Sequence, residues 1–174
     1  MDLRKEDFYS GAFLSYVMNN GVKPALFEGR NASGRKVYDF TTNAGDFRVY
    51  VKYISKPTSP SKKNEKKIWS FSYTEDQVDE LNEIMNTNRD FLFCCICGEE
   101  ELHKSKMVLV DRKTATTCID LYRGNKYKTQ SLKVRYVKGH WDFDIYGTAR
   151  NDKLDNKDST IKIRANNIDE IFGF

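Results

Sequence analysis

The residues best able to do chemistry gather in one stretch, VYDFTTNAGDFRVYVKYISK, residues 37–56, which reads as two strands joined by a tight turn. Asp39 stands on its first run, Lys52 on its second, and Glu28 on the run before. Carboxylate oxygens are hard ligands suited to Mg²⁺, and a metal with a lysine beside it can activate water and stabilise charge on a phosphate. Alternate side chains share a strand face, so an acid and a lysine serving one centre belong at i and i+2. The position two before Lys52 holds Tyr50, which is not an ordinary Mg²⁺ ligand at neutral pH. Asp46 has the parity of Lys52 but lies six residues away. That is roughly 20 Å along a straight strand, too far for one small site.

The surrounding elements would have to position these groups. Residues 5–19 predict an amphipathic helix, with Tyr9, Ala12, Phe13, Tyr16 and Val17 at helical spacing, Asp7 as its N-cap and Asn19-Asn20-Gly21 as its stop. KPALFEG and RKVYDFTT read as extended runs about the loop RNASG, and Asn43-Ala44-Gly45 as a three-residue hairpin loop. In the next strand Phe47, Val49, Val51 and Tyr53 form a core-facing set, while Arg48, Tyr50, Lys52 and Ile54 form a partly wet one. PTSPSKKNEKK, residues 57–67, is an exposed loop, and KIWSFSY a strand with Trp69 and Phe71 on one face. Thr74 with Gln77 makes a capping box for a helix whose stripe is Val78, Leu81, Ile84 and Met85. FLFCCIC has the continuous apolar character of a strand covered on both faces. KMVLVD, TCIDLY, SLKVRYV, WDFDIYGTA and STIKIRA follow as strands, with a turn at Gly139-His140 and a short closing segment, IDEIF. Phe13, Val49, Val51, Leu81, Ile84 and Phe93 are expected to be buried together.

The order helix, three strands, helix, strand over residues 5–97 resembles the common core of the PD-(D/E)xK nuclease superfamily. In that family an Asp on one strand, and an acid two before a Lys on the next, hold a divalent metal. Asp39 matches the Asp and Lys52 the Lys, while Tyr50 replaces the acid. The resemblance implies catalytic roles for Asp39 and Lys52 if the centre is active, and Glu28 on the preceding strand could supply a further carboxylate from another direction, with Mg²⁺ on Asp39 and Glu28. With Tyr50 in place, it implies an inactive or altered site. A chance arrangement of surface charges on a hairpin is the alternative.

Charge is uneven along the chain. Residues 48–67 carry Arg48, Lys52, Lys56, Lys62, Lys63, Lys66 and Lys67 against Glu65, so seven minus one gives +6, and the remaining residues sum to −2 of the net +4. Such a concentration suits a phosphate backbone or an acidic partner, and equally a solvated lysine loop. Tyr50, Tyr53, Tyr122, Tyr127 and Tyr136 interleave with basic residues, a pattern that can stack bases and also occurs in ordinary half-buried strands. Cys94 and Cys97 point to opposite faces of their strand, and His103, Cys118 and His140 lack paired zinc spacing, so no zinc site is expected and the cysteines read as small apolar residues. There is no glycine-rich phosphate loop and no nucleophile motif beside either histidine. No apolar run approaches the ~18–20 residues of a membrane span, no signal-peptide core is present, and a cytoplasmic location is expected.

These readings make the chain one α+β domain on a mixed sheet, with two principal helices and a strand-rich C-terminal third. A nuclease-like core spans 5–97 and a β-rich extension spans 98–174. The leading function is an inactive or altered nuclease-like domain that binds nucleic acid or a nucleic-acid-processing enzyme. The rival is a protein-interaction or inhibitor module without a catalytic site. The third is a working metal-dependent nuclease using Asp39, Glu28 and Lys52. No membrane partner and no small-molecule cofactor is expected, apart from Mg²⁺ if the site is active.

Overall fold

Helix α1 (Lys5–Asn19) spans the expected residues, with Arg4 rather than Asp7 at its N-cap. Asp7 sits one turn in, at the third helical position, where its carboxylate accepts from the Arg4 amide (3.3 Å) and pairs with Lys36 (3.2 Å). The computed structural model describes residues 2–26, 35–60, 65–122, 128–151 and 160–174. Strands β1 (Ala25–Leu26), β2 (Arg35–Thr42) and β3 (Gly45–Ile54) follow, then β4 (Ser59–Pro60) and β5 (Lys66–Thr74). The β2–β3 turn holds two residues, Asn43 and Ala44, not three, because Gly45 already pairs with Thr42. Gly45 opens β3 at φ 149°, a backbone that a side chain would strain.

Helix α2 (Glu75–Ile84) starts at the Thr74–Gln77 capping box, as expected. Strand β6 (Asp90–Cys97) and β7 (Lys106–Asp111) come next, with a 3₁₀ turn at Leu102–Lys104 between them. Helix α3 (Arg112–Cys118) stands where TCIDLY was expected to begin a strand. The Asp111 carboxylate accepts from the Thr114 amide (2.9 Å) and hydroxyl (2.7 Å), and this cap outweighs the β preference of the threonines. Strands β8 (Thr129–Val137) and β9 (Asp142–Gly147), the short α4 (Thr148–Asn151), β10 (Ile161–Arg164) and α5 (Ile168–Phe172) complete the chain. The closing IDEIF segment is thus helical. The last residue of β9 is Gly147, where a Cβ would fall 2.5 Å from the Cys118 carbonyl oxygen and 2.6 Å from that of Ser131.

The strands make two sheets instead of the one expected. The first has the order β1-β2-β3-β6-β7, with β3 and β6 parallel and the other neighbours antiparallel. The second, β10-β9-β8-β5-β4, is wholly antiparallel. β5 crosses to the second sheet because its long partner is β8, some sixty residues on, a pairing no local pattern reveals. The α+β class holds. Residues 98–174 supply β7 to the first sheet and β8, β9 and β10 to the second, so the two expected pieces are interleaved.

Two cores result. Phe13 and Val17 of α1 pack with Val49, Val51, Leu92 and Phe172 on one face of the first sheet. Between the sheets lie Tyr50, Trp69, Phe71, Tyr73, Leu81, Ile84 and Phe93. The six residues expected in one core are all buried but divide evenly between these two. On the β3 face expected to be partly wet, Arg48, Lys52 and Ile54 are half-buried, while Tyr50 is buried in the inter-sheet core. β6 is covered on both sides as expected, and its three cysteines are buried, free, and have their thiol pKa values pushed up by burial. No described helix is long and apolar enough to cross a membrane.

Candidate nucleic-acid interface

The β2–β3 register places Asp39 opposite Arg48, Val37 opposite Tyr50 and Arg35 opposite Lys52, so these six side chains share the face that looks toward the second sheet. Arg48 grips Asp39 with a two-pronged fork, Nε to Oδ1 and Nη2 to Oδ2, both 2.8 Å. Its remaining nitrogen donates to the Ile84 carbonyl (3.1 Å), and Arg112 donates to that of Met85 (3.2 Å). Helix α2 carries Glu75 and Asp76 in its first turn and no base in its last. The two arginines supply from outside the donors and positive charge that its C-terminal carbonyls lack. Asp39 and Arg48 thus fasten the hairpin to α2.

Lys52 points elsewhere. It lies four strand positions from Arg48, the partner of Asp39, which is roughly 13 Å along the sheet. Its ammonium donates to the Ser72 carbonyl and sits 4.2 Å from the Tyr73 ring centroid. Burial pushes its pKa down to about 8, with Cys95 acting against that shift and Arg35 with it. Below pH 8 the lysine is charged in both folded and unfolded chains and burial penalises the folded one. As pH rises from about 8 toward 10.5 only the unfolded chain still holds the proton, so stability gains. Urea midpoints of the wild type and Lys52→Met will show this: the wild type gains on the variant across that window, and parallel profiles would rule the burial effect out.

The described residues of this site do not fit Mg²⁺. Both oxygens of Asp39 are engaged by Arg48, and the Arg89 guanidinium stands 3.7 Å from one of them. Tyr50 is buried at 1% exposure, and burial raises its phenol pKa, so it offers no phenolate. Glu28 lies outside the described residues. Among those described, no group of three or more His, Cys, Asp or Glu side chains is placed to hold a metal ion.

Three of the seven basic residues in the stretch are committed to internal contacts. Arg48 and Lys52 turn inward as above, and Lys67 bonds Glu99 at 2.7 Å. Lys56 and Lys66 are exposed, and Lys62 and Lys63 lie outside the described residues. Lys56 and Lys67 also share a depression with Glu99, Glu100 and Glu101, which offsets their field.

A second basic surface escaped the sequence reading. On the second sheet, the face turned from the inter-sheet core carries Lys66, Ser70 and Ser72 of β5, Ser131, Lys133 and Arg135 of β8, Asp142, Asp144 and Tyr146 of β9, and Lys162 and Arg164 of β10. Five basic residues minus two acidic give +3. Arg135 (2.8 Å) and Lys162 (3.0 Å) clasp Asp144. Burial works to raise the Asp144 pKa, but bonds from Lys162 and Arg135 outweigh it and hold the carboxyl below its usual range. Lys133 and Arg135 each lie 5.7 Å from the Tyr146 ring centroid. The alternation of Lys133 and Arg135 was visible in SLKVRYV. Their alignment with Tyr146 and Lys162 depends on pairing between distant strands.

No protein-family model, curated protein or solved structure matches this chain. Its chemistry therefore rests on its own geometry. His103 lies 3.6 Å from Glu101 on an exposed 3₁₀ turn, and His140 is exposed beyond β8, so the described residues bring neither to the hairpin.

Proposed function

We propose that this is a cytoplasmic, nuclease-like domain that binds nucleic acid without cleaving it, using the outward face of the second sheet. The observation that carries this reading is that face. Serine hydroxyls, a tyrosine flanked by two cations and a net +3 lie together on a rigid sheet. Cationic side chains release counterions from a phosphate backbone, and hydroxyls add bonds that fix position without reading sequence. The Arg48 fork on Asp39 supports binding over hydrolysis, since a metal would have to displace a bidentate ion pair. A working centre of Asp39, Glu28 and Lys52 would need that fork released.

Salt titration of a labelled oligonucleotide tests the reading. Each lost phosphate contact lowers the log–log salt slope by about 0.9 on duplex DNA or about 0.7 on a single strand. Replacing Lys133 and Arg164 by alanine is expected to flatten the slope by up to twice those values and to weaken binding. No measurable binding at low salt would overturn it.

One observation favours the rival, a protein-interaction module. Phe8, Ala12, Ile96, Leu102 and Met107 line an apolar groove of about 370 Å³ between α1 and β7, with Phe8 and Leu102 more than half exposed. Contiguous exposed apolar surface marks partner sites.

A further inference from the structure

A separate pocket of about 270 Å³ opens at the β8–β9 end of the inter-sheet cleft. Its apolar wall is Tyr136 and Phe143, with ring centroids 5.8 Å apart. Lys106, reaching across from β7 of the other sheet, holds its ammonium 5.0 Å from the Tyr136 ring. The rim is His140 and Trp141 on the β8–β9 connection and Asn166 beyond β10, the latter at φ 58°. Trp141 is 83% exposed, and its carbonyl accepts from the Ala165 amide (2.9 Å), which ties the rim to the β10 side. A ring so exposed contributes little to the core, and it stands at the mouth of a pocket with other aromatic walls, where it is free to stack on a ligand.

We infer that this pocket receives one unpaired nucleobase of a single-stranded nucleic acid, stacked against Trp141, with Lys106 meeting the adjoining phosphate. This deepens the proposed nucleic-acid binding and rests on it. The match is one of shape and charge. Tyr136, Trp141 and Phe143 give the pocket an aromatic lining, and aromatic rings stack on any base. The surroundings are cationic: Lys106 lines the pocket, Lys138 lies in the turn, and Lys66 pairs with Val137 just before it. A strand held on the outward basic face reaches the pocket by rounding that turn. Bases within a duplex are already stacked and paired, so the pocket selects single strands.

The protein has two tryptophans, and Trp69 is wholly buried, so quenching by an added ligand reports on Trp141. Titration with an oligothymidylate and with a mixed-sequence duplex, for the wild type, Trp141→Ala and Trp141→Phe, decides the matter. The inference expects the single strand to quench tryptophan emission. It expects Trp141→Ala to weaken single-strand binding by about 5- to 150-fold, Trp141→Phe to retain most of it, and duplex affinity to stay unchanged. Because Trp141 is exposed, an unchanged unfolding midpoint will show that the variants are folded. Equal single-strand affinity for Trp141→Ala and wild type overturns the pocket but leaves the basic face standing. Absence of binding to either oligonucleotide overturns the underlying reading, and the pocket inference with it.

Discussion

Trp69→Ala is expected to lower the free energy of unfolding by about 3–5 kcal/mol, the range for truncating a buried large aromatic residue. Trp69 is at 0% exposure between the sheets, among the largest fully buried side chains. Its indole nitrogen donates to the Gly98 carbonyl at 2.9 Å, where β6 ends. The substitution removes inter-sheet packing and leaves a buried acceptor without its donor, and the second loss adds to the first. Gly98 is held in place by its own amide, which donates to the Ile54 carbonyl at 2.7 Å. Denaturant unfolding measures the effect. A loss below about 1 kcal/mol would contradict the two-sheet core.

Glu80→Ala is expected to cost about 3 kcal/mol. Glu80 of α2 pairs with Arg35 of β2, whose side chain keeps only 2% exposure and whose guanidinium lies 5.5 Å over the Tyr50 ring. Removing the carboxylate takes the counter-charge from a buried cation, which costs about 3–5 kcal/mol in comparable pairs. Glu80 retains 18% exposure, so water reaches the gap and the low end applies. Replacing both partners, Arg35→Met with Glu80→Leu, should recover most of the loss because no uncompensated charge remains. Equal stabilities for Glu80→Ala and wild type would show that the pair contributes nothing.

Local signals in the sequence placed much of this fold. Thr74 and Gln77 marked the start of α2, the stripe on residues 5–19 marked α1, and the unbroken apolar run of β6 marked a strand covered twice. The division into two sheets was not legible, because it depends on β5 joining β8 across the chain. That crossing also buries Tyr50 in the inter-sheet core, while Arg48, Lys52 and Ile54 on the same face of β3 stay half-buried. Asp39 and Lys52 were candidates for one centre, but only the β2–β3 register shows them on a common face with Arg48 occupying the carboxylate. The run of lysines at 48–67 was conspicuous as a sum of charges. The ion pairs of Arg48 with Asp39 and of Lys67 with Glu99 lie beyond what counting reveals. The outward row on the second sheet had the reverse fate, being scattered in sequence and contiguous in space.

The most direct test incubates labelled single-stranded and duplex oligonucleotides with the protein in Mg²⁺ at low salt, then reads bound and cut fractions from native and denaturing gels of the same samples. Retarded and fully intact nucleic acid is the predicted result, with retardation diminished by Lys133→Ala and Arg164→Ala. Cleaved product that disappears in Asp39→Asn, or nucleic acid that runs free at every protein concentration, would contradict a domain that binds without cutting.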